Sequence, residues 1–175
     1  MTPRRSASAL LVSATLGTLA SQAPAKSPTD TPSADAIAGV AARFDGEYLR
    51  WEVRYLGMTG GFAEAWTEVG DDGAMITTGL ARNAPWYAKI YSIDDRVVST
   101  WTPDGGSQHY STWFREGRFQ QDQDMVLDTA PFSVWRKQNF KEGWREWSTP
   151  YEAVPQAQDP VSAFFQMRML ELDET

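Results

Sequence analysis

The sequence predicts a mainly β protein: a curved antiparallel sheet or open, partial β-barrel of about seven strands, with a C-terminal helix at about 159–172. Three observations carry that prediction. Large apolar side chains alternate with polar ones at period 2 along several segments. Turn signals rich in Gly, Pro and Asp separate those segments at about ten-residue spacing, which indicates a meander rather than βαβ units. Only the last of them gives way to a capped segment of helical spacing, Asp159–Leu172.

The N-terminal stretch is a different polymer from the rest. Every aromatic residue lies between Phe44 and Phe165, and the acids before Phe44 are Asp30 and Asp35. Arg4 and Arg5 precede a small-residue apolar run, Ala7 to Ala20, containing Leu10, Leu11, Val12, Leu16 and Leu19. That run is short for a helix crossing roughly 30 Å of hydrocarbon. With small residues at Ser21, Ala23 and Ala25 it predicts a signal peptide over residues 1–25, cleaved after Ala23 or Ala25. Ser6-Ala7-Ser8 departs from the twin-arginine pattern, so the general secretory route and a periplasmic location are expected, with no membrane span after cleavage. Residues 26–43 carry Pro28 and Pro32 and no large apolar side chain before Ile37. They read as a flexible linker with a short helical start at 34–42, because such a segment buries too little surface to offset chain entropy. The folded domain is expected over 44–175.

In Glu47–Leu56, Leu49, Trp51, Val53 and Tyr55 take one parity while Arg50, Glu52 and Arg54 take the other, as in a half-buried strand. Gly57 to Gly61 supplies a reversal into Phe62–Val69, and Asp71-Asp72-Gly73 turns the chain into Ala74–Leu80. Ala84–Tyr91 is expected to hold a turn or two of helix, with Pro85 at its start. Four more strands are expected at Asp95–Trp101, Ser107–Glu116, Arg118–Leu127 and Phe132–Phe140. Trp144-Arg145-Glu146-Trp147 lies in a stretch bounded by glycine and proline and reads as a rim or loop. In the C-terminal helix Asp159 caps, Pro160 takes the first position, and Val161, Phe164, Phe165, Arg168 and Met169 recur at helical spacing.

The counts narrow the function classes. With 16 basic against 23 acidic residues and a net charge of −7, no basic surface for nucleic acid is expected. The absence of cysteine excludes disulfides, thiolate catalysis and zinc fingers, and a single histidine excludes histidine-rich metal sites within one chain.

Four landmarks resemble a known family. Trp51-Glu-Val-Arg-Tyr-Leu-Gly57, Ala63-Glu-Ala65, Asp95-Arg-Val-Val-Ser99 and Gln158-Asp-Pro-Val-Ser-Ala-Phe-Phe-Gln-Met-Arg168 are similar, in order and spacing, to the domain-of-unknown-function family numbered 3108. The aspartate–proline–x–serine segment is the most specific of them, and the resemblance covers roughly 44–172. That family groups exported bacterial proteins without established biochemistry, and the resemblance implies a curved antiparallel sheet closing towards a barrel. Its members usually continue with several strands after the helix. This chain stops at Thr175, which implies an open, shortened barrel or a truncated one, with sheet edges needing protection.

Catalytic and metal readings are weak. His109 shares a strand segment with Ser107 and Ser111 two positions away, expected on the same face, yet nothing resembles a nucleophile elbow. Asp122, Asp124 and Asp128 lack the glycine and terminal glutamate of a calcium loop and read as a solvated strand face. No enzyme activity, cofactor or metal is expected. The eight tryptophans are the stronger lead. Part of that aromatic surface fills a thin core. The rest is expected to line a concave, ligand-facing surface, with Trp51, Tyr55, Trp66, Trp86 and Trp113 as candidate binding residues. The mixed parity of 62–69 and 118–127 fits a partly polar cavity. The sequence therefore points to a non-catalytic envelope protein that binds or carries a lipid or glycolipid. The alternative is an interaction module that pairs an open sheet edge with an envelope protein.

Overall fold

The structure is a computed structural model, and it describes residues 34–104, 106–128, 131–152 and 157–169, without the side chains of residues 34–38 and Tyr55. The expected signal peptide, residues 26–33 of the linker, and residues 170–172 of the C-terminal helix lie outside those residues. Eight strands form one antiparallel, unclosed sheet in strict chain order. They are β1 (Tyr48–Tyr55), β2 (Met58–Val69), β3 (Met75–Asn83), β4 (Asp94–Trp101), β5 (Ser107–Glu116), β6 (Phe119–Val126), β7 (Phe132–Phe140) and β8 (Gly143–Tyr151). Helix α1 (Ala34–Phe44) precedes the sheet, the single turn α2 (Pro85–Ala88) links β3 to β4, and α3 (Pro160–Met169) follows it.

Two differences from the sequence reading stand out. Residues 144–147 are not a loop but the middle of β8, an eighth strand paired along its whole length with β7. The helical start expected at 34–42 is present as α1, but instead of belonging to a free linker it packs on the core through Val40 and Ala41, and its last residue, Phe44, is fully buried. The two edge strands, β1 and β8, do not meet, so the sheet is not a closed barrel.

Register assigns the faces, because cross-strand partners share one. Trp51, Ala63, Ala81 and Asp95 align across β1–β4 on one face, followed by Val97, Thr112, Gln123 and Arg136 on neighbouring rows. Both long helices pack on this face. Phe44 from α1, Met75, Trp101 and Phe165 from α3 form the core, with Trp101 stacked on Phe165 at 5.1 Å between ring centroids. The Trp101 indole donates to Thr77 Oγ1 at 3.1 Å, and Thr77 bonds Thr67 at 3.0 Å, so the buried polar atoms under the rings are satisfied.

The aspartate–proline–x–serine segment anchors α3. Asp159 Oδ1 accepts the backbone N–H groups of Val161 (2.7 Å) and Ser162 (3.1 Å), and Ser162 Oγ bonds back to the Asp159 main chain. Its other oxygen reaches into the sheet, accepting from Ser99 of β4 at 2.8 Å and from Ser107 of β5. The carboxylate is 1% exposed and still fully partnered, so one side chain both caps the helix and fixes it to two strands. At the other end of α3, Arg168 makes a two-point bond to Glu47 at 2.5 and 2.7 Å and lies over Phe44.

Candidate functional site

The site grows from small residues. Gly61, Ala63 and Ala65 of β2 face Asn83, Ala81 and Gly79 of β3 on the helix-bearing face. Nothing bulky rises from this floor. At Gly61 a Cβ would stand 2.7 Å from the Arg82 carbonyl oxygen, so β3 crosses too closely for any side chain there. Two hollows lie over the floor and share Ala63 and Ala81.

The first hollow, about 370 Å³, lies between the sheet and α3. Trp51, Tyr110 and Phe114 of the sheet and Val161 and Phe164 of the helix wall it. The second, about 430 Å³, lies between β1, the end of β3 and α2, walled by Val53, Trp86, Tyr87 and Ile93. The two adjoin along Ala63 and Ala81 as the two ends of a mostly apolar trough, and each is in the size range of small-molecule sites. Trp51 meets Phe164 edge-on at 6.2 Å. The Trp86 indole donates to the Thr59 carbonyl at 2.8 Å, which ties α2 to the β1–β2 hairpin.

Polar groups are sparse in the trough. Asn83 spends its amide on Tyr91 and Ile93. Asp95 accepts the Arg115 backbone N–H at 2.8 Å. Burial, with the Asp95 charge behind it, pushes the neighbouring Glu116 carboxyl above the usual range. Burial, and secondly the Asp159 charge, pushes the Tyr110 phenol up to about 12. Tyr110 is thus a neutral hydroxyl over the whole physiological range, and among the described residues no group bonds it. It is the natural partner for one polar atom of a bound molecule.

Of the five tryptophan and tyrosine positions singled out by sequence, Trp51 lines the hollow under α3 and Trp86 the hollow beside α2. Trp66 and Trp113 lie on the opposite face. Trp66 shares the parity of Phe62, Glu64 and Glu68 and pairs with Tyr48 and Thr78. Trp113 pairs with Arg96, whose guanidinium lies 5.4 Å from its ring. The Tyr55 side chain is outside the described residues. The mixed face of β2 that pointed to a cavity faces away from it, and the cavity follows the small-residue parity. On β6 the reverse holds, with Phe119, Gln121, Gln123 and Met125 on the helix-bearing side. Sequence reasoning passed over Tyr110, Phe114 and Phe164 as lining residues. The signal for the floor was legible: Ala63-x-Ala65 and Gly79-x-Ala81 repeat small residues at strand period.

His109, Ser111 and Asp124 do meet, on the opposite face. His109 Nε2 lies 2.7 Å from Asp124 Oδ1, Ser111 Oγ donates to that same oxygen at 2.6 Å, and Ser111 is 3.4 Å from that same ring nitrogen. A relay requires the carboxylate and the hydroxyl on different nitrogens. Here the serine proton goes to the carboxylate, so the serine is not activated. Ser107 leaves that face altogether, because pairing slips between Thr100 and Trp101 and turns it towards Asp159. Asp122 pairs with Arg115 at 2.6 Å. Among the described residues no group of three or more acidic or histidine side chains is placed to hold a metal ion.

Compared with known proteins, the chain matches no family model, no curated protein and no solved structure.

Proposed function

We propose that this chain is a non-catalytic binder or carrier of an amphipathic molecule, a lipid or glycolipid, held in the trough on the helix-bearing face. One observation carries the reading: two hollows of about 370 and 430 Å³ adjoin along Ala63 and Ala81, with apolar and aromatic walls, and in the one under α3 the Tyr110 hydroxyl has no hydrogen-bond partner among the described residues. An apolar chain along the floor gains about 0.8 kcal/mol per buried methylene, while Tyr110 takes one hydrogen bond from the polar end. Asp95 near the same wall disfavours an anionic group there. Membership in the exported family resembled by the four landmarks, and a periplasmic site of action, belong to the same proposal. The landmarks converge in space, since Ser99 bonds Asp159 and Trp51 meets Phe164.

A second reading has its own observation. β1 and β8 each pair on one side only, and such edges accept a partner strand. Native mass spectrometry of the full chain purified from its own host separates the two. A co-purifying lipid mass supports the trough, a stoichiometric protein supports the edge, and recovery of bare monomer counts against both.

A further inference from the structure

The β1–β2 turn breaks two local rules at one residue. Tyr55 pairs with Met58, so Leu56-Gly57 is a two-residue loop, and both residues have positive φ, 49° and 79°. Such turns favour Asn-Gly, because a branched apolar side chain is strained in the left-handed region. Leu56 is also 80% exposed. Neither folding nor packing of this chain accounts for a leucine there, and strained positions point outward to function.

Leu56 is not isolated. Met58 beside it is 51% exposed, and Ile90, just past α2, is 75% exposed. The bond from Trp86 to Thr59 holds these two segments side by side, and Trp86 and Tyr87 form both the wall of the trough and its outer margin. Apolar tips ringed by Trp and Tyr are the composition of a protein surface at a lipid headgroup layer. Charge agrees with that. Residues 54–60 and 84–93 contain Arg54 and Lys89 and no acid, on a chain with 23 acids against 16 bases. Glu52, the nearest acid along β1, is engaged with Arg54 and Thr59.

We infer that the lip formed by the β1–β2 turn and α2 docks on a phospholipid surface, and that the trough loads or unloads its ligand there. The inference rests on the trough reading for its purpose, but the docking itself is tested separately. Leu56 and Ile90 enter the headgroup layer, Trp86 and Tyr87 sit at its level, and Lys89 meets a phosphate group. The trough then opens towards the acyl chains rather than towards water.

The test uses the full chain and vesicles of phosphatidylcholine mixed with phosphatidylglycerol, read by co-sedimentation. A short-chain alkyl glucoside below its micelle concentration, titrated by calorimetry, reads the trough independently. The variant Leu56→Asn with Ile90→Asn is expected to lower vesicle association about tenfold or more. Glucoside binding is expected to stay unchanged. Leu56→Asn alone is expected to raise the melting temperature, since asparagine tolerates the left-handed turn. A variant with wild-type vesicle association, or a wild type that ignores vesicles while binding a protein partner at the lip, overturns the inference. Vesicle association that depends on Leu56 and Ile90, without glucoside binding by the wild type, sinks the trough reading and leaves the docking surface standing.

Discussion

Strands β1–β5 carry the helices, and strands β6–β8 extend from them as bare sheet. The core cluster takes Met75 from β3, Trp101 from β4, Phe44 from α1 and Phe165 from α3, and draws no residue from β6–β8. In those last three strands Val134 is the one buried apolar residue. Their helix-side face is mixed: Gln121, Gln123, Arg136 and Gln138 stand among Phe119, Met125, Phe132, Phe140 and Trp147, none of which is buried, and Arg136 donates to Gln123 at 2.8 Å. Rings add local support where they stack, as Phe132 does on Tyr151 at 5.4 Å. One continuous ladder thus joins a region held by side-chain burial to one held by backbone pairing and cross-strand contacts. The trough belongs to the first, where helices supply a roof and small residues supply depth.

The sharpest way to break this comparison is to truncate a buried side chain in each half. Phe165→Ala is expected to cost about 3–5 kcal/mol in urea unfolding. Val134→Ala, the best-buried position of the other half, is expected to cost about 1–2 kcal/mol. Equal costs would erase the distinction. Asp159→Ala removes the cap and strands the Ser99 and Ser107 hydroxyls, so a loss of about 2–4 kcal/mol is expected, together with loss of the trough's roof. Hydrogen exchange should follow the same division. Amides of β7 and β8 are expected to exchange well before those of β3 and β4, and uniform protection would contradict the account.

A smaller effect sits where the halves join. Glu116 has a raised carboxyl pKa, so the unfolded chain releases this proton first as pH rises. Its contribution is fully present below the ordinary glutamate value and is lost as pH climbs through the raised one. Glu116→Gln is expected to flatten the fall of melting temperature over that window, and an unchanged slope would remove Glu116 as its cause.

Much of the fold was legible because alternation is a local property. Trp51-x-Val53 against Arg50-x-Glu52 marks β1, and Asp159-Pro160 marks the start of α3. β8 escaped because edge exposure erases alternation: Trp144 and Trp147 fall on opposite parities, and Pro150 reads as a breaker although an edge strand tolerates it. Its identity as a strand comes from pairing with β7. The site was legible only in part for a similar reason. Which tryptophans share a face depends on register between strands, and that put Trp66 behind the sheet while Trp51 and Trp86 wall the two hollows that share Ala63 and Ala81.

The central claim is that an apolar chain lies on that floor. Calorimetric titration of the full chain with alkyl glucosides of increasing length, each below its micelle concentration, tests it most directly, with Ala63→Leu as the filled-trough control. The account predicts affinity rising about fourfold per added methylene until the trough is full, and a weakened, flattened series in Ala63→Leu with the fold intact. Affinity independent of chain length, or an identical series in Ala63→Leu, would contradict it.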